Sequence, residues 1–275
     1  MQKKIAVIND LSGYGRCSLT VAIPVLSAMG HQCCPIPTAI LSNHTEFPVY
    51  FFDDYTEKMT TYTDKWKELG LSFDAIATGF LGSEAQIGIV MEIVQKLKAE
   101  KTFVVVDPVM GDHGHAYETY TPEMCEQMKE LVCMADVVLP NVTECCILTD
   151  TPYREENWTR KELLNMAMML RLMGAKSVVI TGVREGSCYT NVVLEQGQYD
   201  AKFIRTRSSG GERTGTGDVF SSVVAGALLN GKSLPEAVSQ AAGFVKECIK
   251  VSDEEQIPHA NGVCFEKILG KLIKK

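Results

Sequence analysis

A chain of 275 residues that is 45% apolar and 22% charged has the hydrophobic material for one sizeable core or two smaller ones, and no disordered or fibrous bias. Its net charge of −7 and pI near 5.4, with no basic stripe to offset them, argue against a nucleic-acid backbone as partner. No apolar run approaches the ~20 residues of a bilayer span, no secretory signal precedes Ile5, and the ten cysteines include no Cys-x-x-Cys; the expectation is a cytoplasmic protein with reduced thiols and small-molecule ligands.

Short β-branched runs alternate with helical patterns along the chain. The strand Ile5–Ile8 leads into Asn9-Asp10-Leu-Ser12-Gly13-Tyr14-Gly15, which suits a ligand-contacting turn and equally a glycine turn before the helix predicted over Ser18–Met29. Ser42-Asn43-His44-Thr45 gathers donors and acceptors with no clear role beyond a turn, and marks a substrate-reading loop. A helix over Asp54–Leu69, a strand Ala75–Thr78 and a helix over Ser83–Ala99 follow.

The strand Phe103–Val106 then runs into Asp107-Pro-Val-Met-Gly111-Asp112-His113-Gly-His115, a flexible loop with two carboxylates. Asp107 can orient the waters of Mg²⁺ or a nucleotide phosphate, or simply turn the chain ahead of Pro108. His113 and His115 lack a third ligand and read as solvated. After a helix over Pro122–Met134, the strand Val137–Leu139 ends in Pro140-Asn141-Val-Thr143-Glu144. Carboxylate and amide there suit hydrated Mg²⁺; alternatively Asn141 or Thr143 caps a short helix with help from Glu144.

A helix over Arg160–Met173 carries Met166, Met168, Met169 and Met173 as core filler. The strand Val178–Ile180 ends at Thr181-Gly182, whose hydroxyl and exposed backbone can reach phosphates, and two β-runs within Gly186–Arg207 flank Gln196-Gly197-Gln198 as an edge hairpin. Helices over Thr216–Asn230 and Pro235–Ile249 and an amphipathic one near Phe265–Ile273 complete the chain. The alternation predicts an α/β fold, with a mostly parallel sheet covered on both faces, one domain over 1–275, and ligands at the carboxyl ends of the strands.

Arg213-Thr-Gly-Thr-Gly-Asp-Val-Phe220 carries the most chemistry. Gly215 and Gly217 let backbone amides at a helix start converge on an anion, and Asp218 beside them can accept a proton from an attacking hydroxyl, or merely complement the helix dipole. Further along, Gly226-Ala-Leu-Leu-Asn-Gly231-Lys232-Ser233 matches the phosphate-binding P-loop pattern but begins inside a helix, where the amides are already used. Gly231 reads instead as a helix end, and Ser233-Leu-Pro-Glu236 as the next capping box.

Assembled, these residues resemble the ribokinase-like superfamily from end to end, and within it the pyridoxal/pyridoxamine kinases of vitamin B6 salvage. Gly215-Thr-Gly-Asp218 is similar to the family's anion hole and base, Asn141-x-x-Glu144 to its Mg²⁺-phosphate motif, and Asp107-Pro-Val-Met-Gly-Asp112 to its nucleotide-side loop. Ser42–Thr45 and Gly13-Tyr14 carry the narrower likeness. The resemblance implies a three-layer α/β/α fold with an edge hairpin, ATP and Mg²⁺, often a monovalent cation, and a homodimer. It implies substrate contacts from Asp10, Ser12 and Thr45. ATP would be served by Asp107, Asp112, Tyr117, Asn141, Glu144, Thr181, Gly182, Gly215 and Thr216, with Asp107 and Glu144 holding Mg²⁺ through water. Asp218, with Gly215, Thr216 and Gly217, would direct phosphoryl transfer to the 5′-hydroxyl of pyridoxal, pyridoxamine or pyridoxine.

Asp10 with Ser12-Gly13 is also similar to hydroxymethylpyrimidine (phosphate) kinases of thiamin synthesis. The loop after Asp112 is shorter than in animal pyridoxal kinases, and Ser208–Arg213 lacks the cysteine some relatives use to trap the aldehyde. That kinase is the same-fold alternative; a non-catalytic B6- or nucleotide-binding module is the rival from another class.

Overall fold

The structure, a computed structural model, describes residues 2–273. In chain order its elements are β1 (Lys4–Tyr14), α1 (Ser18–Ala28), β2 (Gln32–Asn43), β3 (Phe52–Asp54), α2 (Thr56–Glu68), β4 (Ala75–Thr78), α3 (Glu84–Leu97), β5 (Phe103–Val106), β6 (Gly111–Asp112), β7 (His115–Ala116), α4 (Pro122–Cys133), β8 (Val137–Val138), α5 (Val142–Leu148), α6 (Arg160–Met173), β9 (Ser177–Glu185), β10 (Cys188–Leu194), β11 (Lys202–Arg207), α7 (Thr216–Leu229) and α8 (Leu234–Glu254).

Nine strands form one sheet in the order β11-β10-β9-β8-β5-β4-β1-β2-β3. From β9 to β2 neighbouring strands are parallel, while β3 at one edge and β10–β11 at the other run antiparallel. The pattern follows from strands such as Phe103-Val-Val-Val106, apolar at every position because helices cover both sides. Ile5, Val7, Ala75 and Val105 face a core shared with α1, α7 and α8, whereas Ala6, Ile8, Ile76, Val104 and Val106 face the core beneath α2–α6. Side-chain caps at Ser83 and Thr121 and capping boxes at Thr159 and Ser233 start α3, α4, α6 and α8. Helices therefore begin just past the strand ends, and polar loops collect at the carboxyl edge of the parallel sheet.

Several expectations need correction. β2, absent from the sequence reading, runs to Asn43, so Ser42 and Asn43 belong to a strand. Their side chains close the β2–β3 turn: the Ser42 hydroxyl donates to Asn43 Oδ1 (2.7 Å) and accepts from Phe51 N (2.8 Å), while Asn43 Nδ2 donates to Val49 O (2.9 Å). The loop after Asp107 folds into the β6–β7 hairpin, and β9 continues through Thr181 and Gly182 to Glu185. The last helix is a 3₁₀ segment, Glu266–Leu272, and α8 extends past Ile249 because Ser252 is buried.

Candidate active site

The glycine motif is held rigidly. Arg213, almost wholly buried, donates to Ile257 O (2.7 Å) and to Asp253 of α8 (2.6 Å). Gly215 caps α7 in the left-handed conformation (φ 77°), which glycine adopts without strain. Within α7 the first helical bond is Val219 N to Gly215 O (3.0 Å), so the amides of Thr216, Gly217 and Asp218 sit at the open, positive end of a fourteen-residue helix. Anions bind such ends.

Asp218 stands in that first turn, half-buried. Ser18 N–H and Asn9 Nδ2 (3.3 Å) donate to its carboxylate; burial and the charge of Asp10 nonetheless push its pKa up to about 6. Asp10 lies behind, buried, and accepts from the hydroxyls of Ser12 (2.8 Å) and Ser18. Burial raises its pKa too. Ser18, the first residue of α1, has φ 51°, a rare conformation for serine. Its amide serves Asp218 and its hydroxyl serves Asp10, so the one residue bridges both carboxylates. In the sequence its only mark is the start of a helix.

Ser12 departs from the expectation of direct substrate contact: it is fully buried with its hydroxyl given to Asp10, which makes it a support for Asp10 in this structure. Thr45 is exposed on the turn after β2. That turn is tied across the site by His44 Nε2 to Ala260 O (2.6 Å) and by Thr214 Oγ1 donating to Glu46 (2.7 Å), with Phe47 packed on Tyr14.

On the other side of Asp218, Asp107 follows β5 directly, its amide bonded to Thr78 O (3.1 Å). Desolvation and the Asp218 charge push its carboxyl up to about 8. Glu144 is buried on the first turn of α5, and both readings of its motif bear on it. It completes a capping box, with Asn141 Oδ1 accepting from Glu144 N (2.9 Å) and Glu144 Oε2 accepting from Asn141 N (2.8 Å); Oε1 accepts from Met110 N (3.2 Å). Burial, and then Asp107, drive its pKa well up. Asn141 Nδ2 also donates to Gly111 O (2.9 Å) and pins the β6–β7 hairpin, where exposed Asp112 caps His113 N (2.8 Å) and Tyr117 follows. The Coulombic neighbours that act on Asp107, Glu144 and Asp218 are carboxylates, not cations. Such uncompensated negative charge fits a hard divalent cation. Among the described residues no three His, Cys, Asp or Glu side chains form a metal cage.

Thr181 and Gly182 differ most from expectation. Gly182 is a left-handed kink (φ 68°) inside β9 whose amide donates to Asn191 Oδ1 (3.2 Å), and Thr181 N donates to Pro140 O (2.8 Å), so neither amide is exposed at a strand end. Further along the same hairpin lies an open groove of about 570 Å³ lined by His113, Arg184, Tyr189, Ser208 and Glu212 among others. Arg184 and Tyr189 of that groove lie in β9 and β10 and carry no local motif in the sequence.

Comparison with known proteins fits this geometry. The family model for phosphomethylpyrimidine kinase matches residues 22–264. A Bacteroides thetaiotaomicron protein classed with the phosphomethylpyrimidine kinases shares 39% identity, covers 100% of this chain and 95% of its own, and superposes with a TM-score of 0.96; its orthorhombic crystal form, with pyridoxal, gives 0.94. Pyridoxal kinase from Lactobacillus plantarum shares 27% identity over 99% of this chain and 97% of its own, with a TM-score of 0.91. Pyridoxine kinase from Bacillus subtilis is 28% identical over 92% of this chain and 85% of its own length.

Proposed function

Because the chain belongs to the phosphomethylpyrimidine kinase family, we propose that it transfers the γ-phosphoryl group of ATP to the 5′-hydroxyl of pyridoxal, pyridoxamine or pyridoxine. The observation that carries this reading is the placement of Asp218: a half-buried carboxylate with a pKa near 6 at the open amides of α7, flanked by the Asp10 cluster on one side and the Asp107 and Glu144 carboxylates on the other. The pyridoxal in the Bacteroides relative supports the choice of acceptor.

Asp218 takes the proton of the 5′-hydroxyl as its oxygen bonds to the γ-phosphorus, and the bond from that phosphorus to the β,γ-bridging oxygen breaks to release ADP. The amides of Thr216, Gly217 and Asp218 lie where charge gathers on the transferring group. Mg²⁺, when bound, neutralises phosphate charge; Asp107 and Glu144 would hold it through water, with Asn141 fixing Glu144. Asp10, oriented by Ser12 and Ser18, reads the acceptor's ring from within, and Thr45 reads it from the turn above. The groove beside Tyr189 takes the nucleotide, with Asp112 and Tyr117 at its rim. We read residues 1–275 as one kinase domain acting in the cytoplasm; among the described residues no helix is long and apolar enough to cross a membrane. A homodimer would cover the exposed Val49 and Phe51 beside edge strand β3.

The family model's own description favours one second reading, a hydroxymethylpyrimidine (phosphate) kinase. ATP consumption measured side by side with the three B6 vitamers and hydroxymethylpyrimidine separates the two. A higher kcat/KM for a vitamer is expected, and a preference for hydroxymethylpyrimidine overturns the assignment.

A further inference from the structure

We propose that Asn9 is a positioning residue for phosphoryl transfer, its side-chain amide holding the Asp218 carboxylate in the orientation that receives the acceptor's proton. The proposal rests on Asp218 being the general base. Asn9 is 6% exposed, and both ends of its amide are bonded. Its Oδ1 accepts from Phe80 N (2.9 Å) and from Asp10 N (3.0 Å). Both donors are main-chain N–H groups that can only donate, so the oxygen end of the amide is fixed by chemistry and the NH₂ must point the opposite way. There Nδ2 donates to Asp218 Oδ1 at 3.3 Å.

Room for the amide comes from β4's exit. A Cβ on Gly79 would stand 2.4 Å from Asn9 Nδ2 and 2.6 Å from its Cγ, so the side chain occupies space that only glycine leaves free. One neutral side chain thus links the middle of β1 and the exit of β4 to the first turn of α7. Neutrality matters. A lysine or arginine would form an ion pair and weaken the base, whereas a carboxylate would repel it.

The test is a double-mutant cycle run with whichever acceptor alcohol the wild type phosphorylates fastest among the B6 vitamers and hydroxymethylpyrimidine. Asn9→Ala and Asn9→Asp should each lower kcat by about 10- to 100-fold with both KM values within about threefold, the span expected when a hydrogen bond to a charged group is lost from the transition state. In an Asp218→Asn background the same changes should cost less than about threefold, because nothing remains to be positioned. Gly79→Ala, which displaces the amide without altering it, should repeat the pattern. Where Asn9→Ala does not fold, Asn9→Asp carries the cycle, since it keeps both main-chain bonds.

Equal losses in the two backgrounds, or a rise in KM with kcat intact, overturn the proposal. A wild type that uses only hydroxymethylpyrimidine removes the B6 reading but leaves the cycle measurable on that alcohol. Ordinary turnover by Asp218→Asn removes the base and the role of Asn9 with it.

Discussion

The carbonyl oxygen of Arg16 and the backbone of Gly215 are packed so closely that a Cβ at position 215 would lie 1.8 Å from that oxygen. Arg16 is itself anchored, through Glu266 (2.7 Å) and Asn261 O (3.0 Å), so it cannot retreat cheaply. The loop between β1 and α1 therefore docks on the glycine turn at the start of α7.

The two glycines of the motif should respond differently to substitution. Gly215→Ala meets both the clash and a left-handed φ, and should lose about 2 kcal/mol or more of stability together with activity. Gly217 has open space around its missing Cβ and lies in the first turn of α7. Gly217→Ala should leave the Tm unchanged or higher while kcat/KM for MgATP falls, because the space serves the ligand. Thermal melts beside kinetics decide it; full activity in Gly217→Ala rules out close phosphate approach there.

Asp218 sets a pH dependence of known sign. The proposed base must be a carboxylate to accept the proton, so kcat/KM should rise as pH climbs through about 6, and Asp218→Asn should lower kcat by at least ~100-fold and abolish that limb. The charge of Asp10 acts on Asp218, and the charge of Asp218 acts in turn on Asp107. Stability runs the other way. With folded values of about 6 for Asp218 and about 8 for Asp107 against an ordinary 3.8, the stabilising contribution is complete below pH 3.8 and is lost as pH rises through 6 and 8. Denaturation of the ligand-free protein should show greater stability at pH 5 than at pH 8, and Asp107→Asn should narrow the gap. A gap of unchanged size in that variant would count against a raised pKa for Asp107.

Glu144 joins the capping of α5 to the carboxylate cluster, and Glu144→Gln should expose both roles. An amide can satisfy only one of the two main-chain donors that Oε1 and Oε2 now accept, so stability should fall by about 1–3 kcal/mol. A magnesium titration should also shift to higher concentration, with the KM for pyridoxal little changed. A destabilised variant with an unaltered titration would leave Glu144 as a helix cap alone.

Lys232→Ala should leave activity within about threefold of wild type. Gly231 ends α7 with φ 83°, and exposed Lys232 leads into the Ser233 capping box, so the P-loop lookalike spans a helix end and presents no amide cradle. A loss comparable to that of Asp218→Asn would overturn this.

The buried parallel strands and the helices were legible because their signals are local. β4, β5 and α6 coincide with the runs Ala75–Thr78, Phe103–Val106 and Arg160–Met173. β2 escaped notice because Pro35 and Pro37 argue against an inner strand. β3 pairs only with Ala39–Leu41, so at the prolines β2 is itself the sheet edge and their missing N–H groups cost little. In the site, the residue types around Asp218, Asp107 and Glu144 could be read from strand ends, but the duties of Asn9, Ser12 and Ser18 could not. Each acts on a partner whose position depends on the tertiary fold, and no spacing in the chain encodes that Asn9 faces Asp218.

That facing pair lies 209 residues apart, and the separation governs how the molecule comes into being. During synthesis β1, β4 and β5 emerge early, while α7 and α8, which cover Ile5, Val7, Ala75 and Val105, emerge near the end. Until then one face of the nascent sheet lacks most of its cover, the condition under which growing chains associate wrongly or recruit chaperones. Closing so long a loop is also slow, since its entropy is lost before the contacts reward it. No truncated intermediate can hold both partners of the phosphoryl exchange, so ligands would stabilise only the finished chain and shift the last folding step in its favour.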